Sequence, residues 1–168
     1  MSADSTLALK QSLTPSRPNV KRGIRFSVDV GQSRIGLART DPDATMALPV
    51  ATIKMSQSAI NEVAAVINEY EAVLVYVGLP LSLTGDHTKS TQYAIDFAND
   101  LSQHITAEIR LVDERLSTVS AATALRATGH TAQSSKGIID QAAAVVILEH
   151  ALDFESKHAE VAGVALGE

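Results

Sequence analysis

From residue 24 onward the chain switches repeatedly between two hydrophobic periods. In IRFSVDV (24–30), Ile24, Phe26, Val28 and Val30 alternate with other residues, the period of a half-buried strand. RIGLART (34–40) and ALPVATIK (47–54) predict a second and a third strand, separated by DPDAT (41–45), a turn built on Asp-Pro. The period then lengthens. Ile60, Val63, Ala64 and Ile67 fall at i, i+3, i+4 and i+7, which predicts a helix over 58–70 with Ser56 or Ser58 as its N-cap. AVLVYVG (72–78) is almost continuously apolar, as a central strand covered on both faces must be.

A polar loop, LPLSLTGDHTKS (79–90), precedes a helix in which Ala94, Phe97, Ala98 and Leu101 share a face. EIRLV (108–112) reads as a fifth strand and runs straight into DER. The next helix starts at Ser117 or Thr118, holds Ala121, Ala122 and Leu125, and stops at Gly129. A last helix spans 136–154. The order β-β-β-α-β-α-β-α-α predicts an α/β fold: a five-stranded mixed sheet, its first three strands antiparallel, with helices on both faces. Residues 1–21 read as a disordered lead-in without the apolar core of a secretory signal, 22–154 as one domain, and 155–168 as a frayed tail.

Composition adds three constraints. Aromatic residues make up only 4% of the chain, so the core must be built of Val, Ile, Leu and Ala. Cysteine is absent, which excludes disulfides and thiolate metal sites and agrees with a reducing, cytoplasmic setting. No apolar run approaches the roughly 20 residues that span a bilayer, so no membrane partner is expected. The net charge of −5 argues against a non-specific nucleic-acid binder, although a local basic patch can act within an acidic surface.

Three acidic positions then stand out. Asp29 sits near the carboxyl end of the first strand, where sites form in open α/β sheets, and Gly31 follows to let the backbone turn. Asp113 and Glu114 hold the analogous position after the fifth strand, on opposite sides of it. Asp140 interrupts an otherwise apolar helix, with Ala143, Ala144 and Ile147 at i+3, i+4 and i+7. Two carboxylates about 4 Å apart repel by roughly 4 kcal/mol at an effective dielectric near 20, so three that converge require a cation or protons. Oxygen-only ligation suits Mg²⁺ or Mn²⁺, and such ions beside a phosphodiester support in-line hydrolysis. The same acids in separate salt bridges, or around a structural ion, are the alternative.

DVGQSRIGLA (29–38), VGLPLSLTG (77–85), LVDERLST (111–118) and KGIIDQAAAVVIL (136–148) resemble, in order, the motifs of the YqgF/RuvX family. That family is the Holliday-junction resolvase or pre-16S ribosomal RNA nuclease group, with the RNase H-like fold, and the resemblance covers residues 22–152. It implies Asp29, Glu114 and Asp140 as catalytic metal ligands for Mg²⁺ or Mn²⁺, with Asp113 in reserve for the second. It also implies phosphate contacts by Arg34 and Arg115, and the loop and helix cations Lys89 and Lys136 complete the nucleic-acid-binding set. Two positions depart from the pattern: TAQSSKGIID offers only Lys136 before the last acid, and Ser82 stands where Asn is common. Fewer cations predict weaker phosphate binding with a smaller salt dependence.

The function implied is a metal-dependent nuclease in 5′-end processing of pre-16S rRNA, with structured RNA and ribosomal particles as partners. Cleavage of branched DNA is the alternative, and a two-fold junction would call for a homodimer. A non-catalytic ribosome-assembly factor on the same fold is the third reading, disfavoured because binding alone would place cations, not acids, at these positions. His87 in the 79–90 loop is a candidate for proton transfer.

Overall fold

The computed structural model describes residues 22–114 and 136–168, the side chains of 136–140 excepted. Its elements are β1 (Arg25–Val30), β2 (Arg34–Thr40), β3 (Ala47–Lys54), α1 (Ala59–Glu69), β4 (Leu74–Leu79), α2 (Lys89–Ser102), β5 (Glu108–Asp113), α3 (Lys136–His158) and β6 (Val164–Ala165). One sheet carries them in the order β3-β2-β1-β4-β5-β6. The β1–β2 and β2–β3 pairs are antiparallel, and β1–β4 and β4–β5 are parallel. The sheet is therefore mixed and α/β as expected, but it has six strands, not five. The helix expected between Ser117 and Gly129 and the lead-in 1–21 lie outside the described residues.

The extra strand arises where a frayed tail was expected. The last helix continues to His158, and Val164–Ala165 then pair antiparallel with Leu111 and Arg110 at the sheet edge. Arg110 helps to hold this return, donating from Nε and Nη2 to the carbonyls of Ala162 and Gly163 at 2.6 and 2.7 Å. A two-residue strand has too little pattern to be read from sequence.

Strand parity sorts the core into two clusters. Phe26, Val28, Ile35, Leu37, Val75 and Val77 pack with α1 and α2 on one face. Ala38, Leu74 and Tyr76 pack with Ala144, Ile147, Leu148 and Ala151 of α3 on the other. Pro49 is tolerated because β3 is the edge strand, and the register shifts beside it, leaving Val50 without an opposite residue.

Polar contacts tie α3 to its face at three levels. Gln141 Nε2 donates to Thr52 Oγ1 of β3 at 3.0 Å, and Ser27 Oγ of β1 donates to the Ala144 carbonyl. Further along, Arg25 Nε reaches both carboxylate oxygens of Glu155 at 3.2 Å, and Tyr76 OH donates to the same carboxylate. Arg25 is 3% exposed, and Tyr76 and Glu155 are fully buried. Burial, with the Glu155 hydrogen bond and charge beside it, pushes the Tyr76 hydroxyl far above its ordinary range, so it donates throughout.

Candidate active site

The odd positions of β1, Arg25, Ser27 and Asp29, face α3, as the contacts of the first two with α3 require. Asp29 is paired with Gly36 on β2, and Gly36 in turn with Thr52 on β3. On its other side Val28 is in register with Val77, which sets Gly78 beside Asp29. Asp29 thus stands between two strand glycines, in a row that Gln141 of α3 crosses through Thr52. The turn after β1 is tight: Gly31 N–H donates to the Arg34 carbonyl at 2.9 Å, and a Cβ on Gly31 would lie 2.6 Å from that oxygen.

Parity on β5 decides between the adjacent acids. Val112 packs in the α3 cluster and Leu111 against the opposite one, so Glu114 continues on the α3 side and Asp113 points the other way. Glu114 N–H donates to the Leu79 carbonyl at 3.2 Å, extending the β4 pairing by one residue. Its side chain is buried while Asp113 is exposed. Gly78 makes the space: a Cβ there would collide with Glu114 Oε2 and with Ile147 Cδ1.

The electrostatics of this pair are unfavourable without a partner. Burial, then the charge of Asp29 and a hydrogen bond with it, then the charge of Asp113, push the Glu114 carboxyl up to about 8. Two close carboxyls with one proton between them titrate as a pair. Glu114 Oε2 is buried and has no hydrogen-bond partner among the described residues. Oxygen donors and an orphaned, buried carboxylate oxygen fit a hard divalent cation. Among the described residues no group of three or more metal-ligating side chains is assembled, so these two acids are a partial set.

Residue 140 immediately precedes Gln141, whose side chain reaches the Asp29–Gly36–Thr52 row, so the backbone of α3 brings position 140 to the level of Asp29. It also lies on the helical stripe of Ala143, Ala144 and Ile147, all buried against the sheet. The Asp140 and Lys136 side chains, and Arg115 altogether, lie outside the described residues. Arg34 is placed on the α3 face, two residues before Gly36. Lys89 is the first residue of α2, the helix covering the other face, and is exposed. His87 lines a groove of about 430 Å³ with Leu79, Ile95, Asn99 and Leu111, which belongs to the α2 side and not to the acids.

Gly36 and Gly78 belong to the site beside the acids, and the sequence signal for them is a glycine at a strand end or interior, the mark of a close approach. Substituting Gly78→Ala is expected to destabilise the fold by about 1–3 kcal/mol and to displace Glu114, with cleavage falling at least about tenfold. Thermal unfolding and single-turnover cleavage read the two effects. Wild-type values in both would contradict the clearance assigned to Gly78.

Comparison with known proteins supplies the family. The chain is 46% identical over 138 residues to a protein of Leifsonia xyli subsp. xyli (strain CTCB07) named "Putative pre-16S rRNA nuclease", covering 81% of this chain and 89% of that one. A protein of the same name from Clavibacter michiganensis subsp. michiganensis (strain NCPPB 382) is 47% identical over 139 residues, covering 81% and 86%. Among solved structures, T. thermophilus RuvC in complex with a Holliday junction substrate superposes with a TM-score of 0.51 at 15% identity, covering 83% of this chain and 98% of that one. That likeness establishes the RNase H-like fold. Residues 23–154 match the family model described as RuvX, Holliday junction resolvase, so the protein belongs to the RuvX family.

Proposed function

We propose that this protein is a divalent-metal-dependent nuclease that hydrolyses phosphodiester bonds in structured RNA, with the 5′ end of precursor 16S rRNA on ribosomal particles in the cytoplasm as its substrate. The observation that carries the reading is the pairing of half-buried Asp29 with buried Glu114, whose Oε2 lacks a partner among the described residues. The names of the relatives support RNA as the substrate class.

Asp29 and Glu114 would hold Mg²⁺ or Mn²⁺, with Asp140 as third ligand from α3. When bound, the ion supplies Lewis-acid stabilisation of the phosphoryl oxygens and lowers the pKa of attacking water. The chain's own contribution is placement. Asp29 is fixed by the β1–β2 and β1–β4 ladders, and Glu114 by the Leu79 carbonyl and the wall of Ile147. Gly36 and Gly78 keep bulk away from the carboxylates. Arg34 sits on the same face to draw in backbone phosphate, and Arg115 and Lys136 are proposed to extend that role.

A pH dependence follows from Glu114. Below about 8 the native state holds a proton that a bound cation must displace. Apparent Mn²⁺ affinity should therefore rise by up to about tenfold per pH unit from 6 towards 8 and level off above, as isothermal titration can measure. In chelator the sign for stability is opposite. The unfolded carboxyl ionises near 4.5 and the native one near 8, so the native state binds more protons between these values. Stability then falls as pH rises through that window. An Mn²⁺ affinity that is flat with pH would contradict the proton assigned to this pair.

The test of function is cleavage of a precursor-like RNA and a four-way DNA junction, side by side, with Mg²⁺, Mn²⁺ or chelator. Metal-dependent cutting of the RNA is expected. Preference for the junction would favour the resolvase reading, which the family description supports. Binding without cutting of either would overturn the nuclease in favour of an assembly factor.

A further inference from the structure

The β2–β3 ladder places Arg34 directly opposite Lys54. Both face α3. Arg34 shares the parity of Gly36 and Ala38, and Ala38 lies in the α3 cluster. Lys54 shares the parity of Thr52, whose hydroxyl accepts from Gln141 of α3. The two cations therefore occupy the row one pleat beyond Asp29–Gly36–Thr52, at the open end of the site. With about 3.4 Å per residue along a strand and about 4.8 Å between strands, Arg34 Cα lies about 8 Å and Lys54 Cα about 12 Å from Asp29 Cα.

Lys54 ends its strand exposed, and among the described residues its side chain makes no ion pair and no hydrogen bond. Like charges directly opposite on a ladder disfavour the pairing, whereas an acid at either position would favour it. A lysine on an edge strand also guards against edge-to-edge pairing. That role needs no arginine opposite and no alignment with the acids.

We infer that Lys54, with Arg34 beside it, forms a subsite for the nucleic-acid backbone phosphate next to the scissile one. The inference rests on the nuclease reading, which puts the scissile phosphate at Asp29 and Glu114. It fixes a direction: the substrate strand leaves the acids across β2 towards the β3 edge, where its next phosphate gains a charge-assisted contact from Lys54. Lys54 holds this phosphate and takes no part in proton transfer or ion binding.

The test uses the full chain and a fluorescein-labelled RNA stem-loop in EDTA, where binding is read without cleavage across a series of KCl concentrations. Lys54→Gln should weaken binding about three- to tenfold at low salt and reduce the magnitude of the log Kd against log salt slope by about one. Lys54→Arg should restore both. The melting temperature of Lys54→Gln in EDTA should equal that of wild type, which assigns the lost affinity to the contact and not to the fold. An unchanged affinity and slope would overturn the subsite and leave an edge guard. A loss that Lys54→Arg fails to restore would also overturn it, because the contact would not be electrostatic. If wild type cuts neither RNA nor junction while Lys54→Gln still lowers the slope, the nuclease reading falls and the phosphate contact stands.

Discussion

Replacing Asp29 by asparagine should reduce cleavage at least about a thousandfold, a loss of about 4 kcal/mol of transition-state stabilisation, while leaving RNA binding equal or tighter. The substitution is nearly isosteric, so the β1 ladders to β2 and β4 stay intact. It removes an anionic oxygen from the proposed ion site and a negative charge from the path of a polyanion. It also removes the Asp29 charge that helps to push Glu114 up to about 8, so Glu114 should ionise at lower pH in the variant. The fold should accordingly be no less stable than wild type in chelator. Loss of cleavage with an unchanged or raised melting temperature assigns the effect to chemistry, and a rate within tenfold of wild type would sink the mechanism.

The second large effect is expected far from the acids. Glu155→Ala should destabilise the protein by about 3–5 kcal/mol, because it leaves the Arg25 guanidinium buried without its carboxylate and Tyr76 without its acceptor. For a chain of 168 residues that corresponds to a fall in melting temperature of roughly 6–20 °C. Arg25 keeps its donation to the Gly23 carbonyl at 2.7 Å, which offsets little of the loss. Glu155→Gln, which retains an acceptor for both donors, should lose less. A shift below about 1 kcal/mol for Glu155→Ala would show that water reaches the pair. The consequence for the site is indirect: α3 carries Asp140 at one end and Glu155 at the other, so this pair and the Ser27 and Gln141 contacts together set where position 140 sits on the sheet.

The Asp41 turn illustrates how local sequence acts without tertiary help. Its carboxylate accepts from the backbone N–H groups of Thr45 and Met46 at 2.7 and 3.0 Å and from the Thr45 hydroxyl at 2.6 Å. These bonds close the β2–β3 connection that Asp-Pro announces. Similarly, Thr88 and Thr91 form a reciprocal cap at the start of α2 within three residues of each other.

What the sequence determined by itself were the features with short-range causes. The alternation of Phe26 and Val28, the continuous apolar run ending in Val77, and the four-residue stripe from Ile60 to Ile67 each impose a period, and the elements observed follow those periods. The strand-end position of Asp29 and the helical position of Asp140 were legible for the same reason. What only the tertiary structure decided were the relations across the chain. Parity alone leaves Asp113 and Glu114 equivalent, because alternation says that they face opposite ways without saying which face is the site. That required α3 to be seated over Val112 and not over Leu111. Glu155 was invisible as a core residue because its partner Arg25 lies 130 positions earlier, and a charged side chain reads as solvated until its counter-charge is known. The pairing of Arg34 with Lys54, and of both with the row of Asp29, depends on a register that local periodicity does not encode.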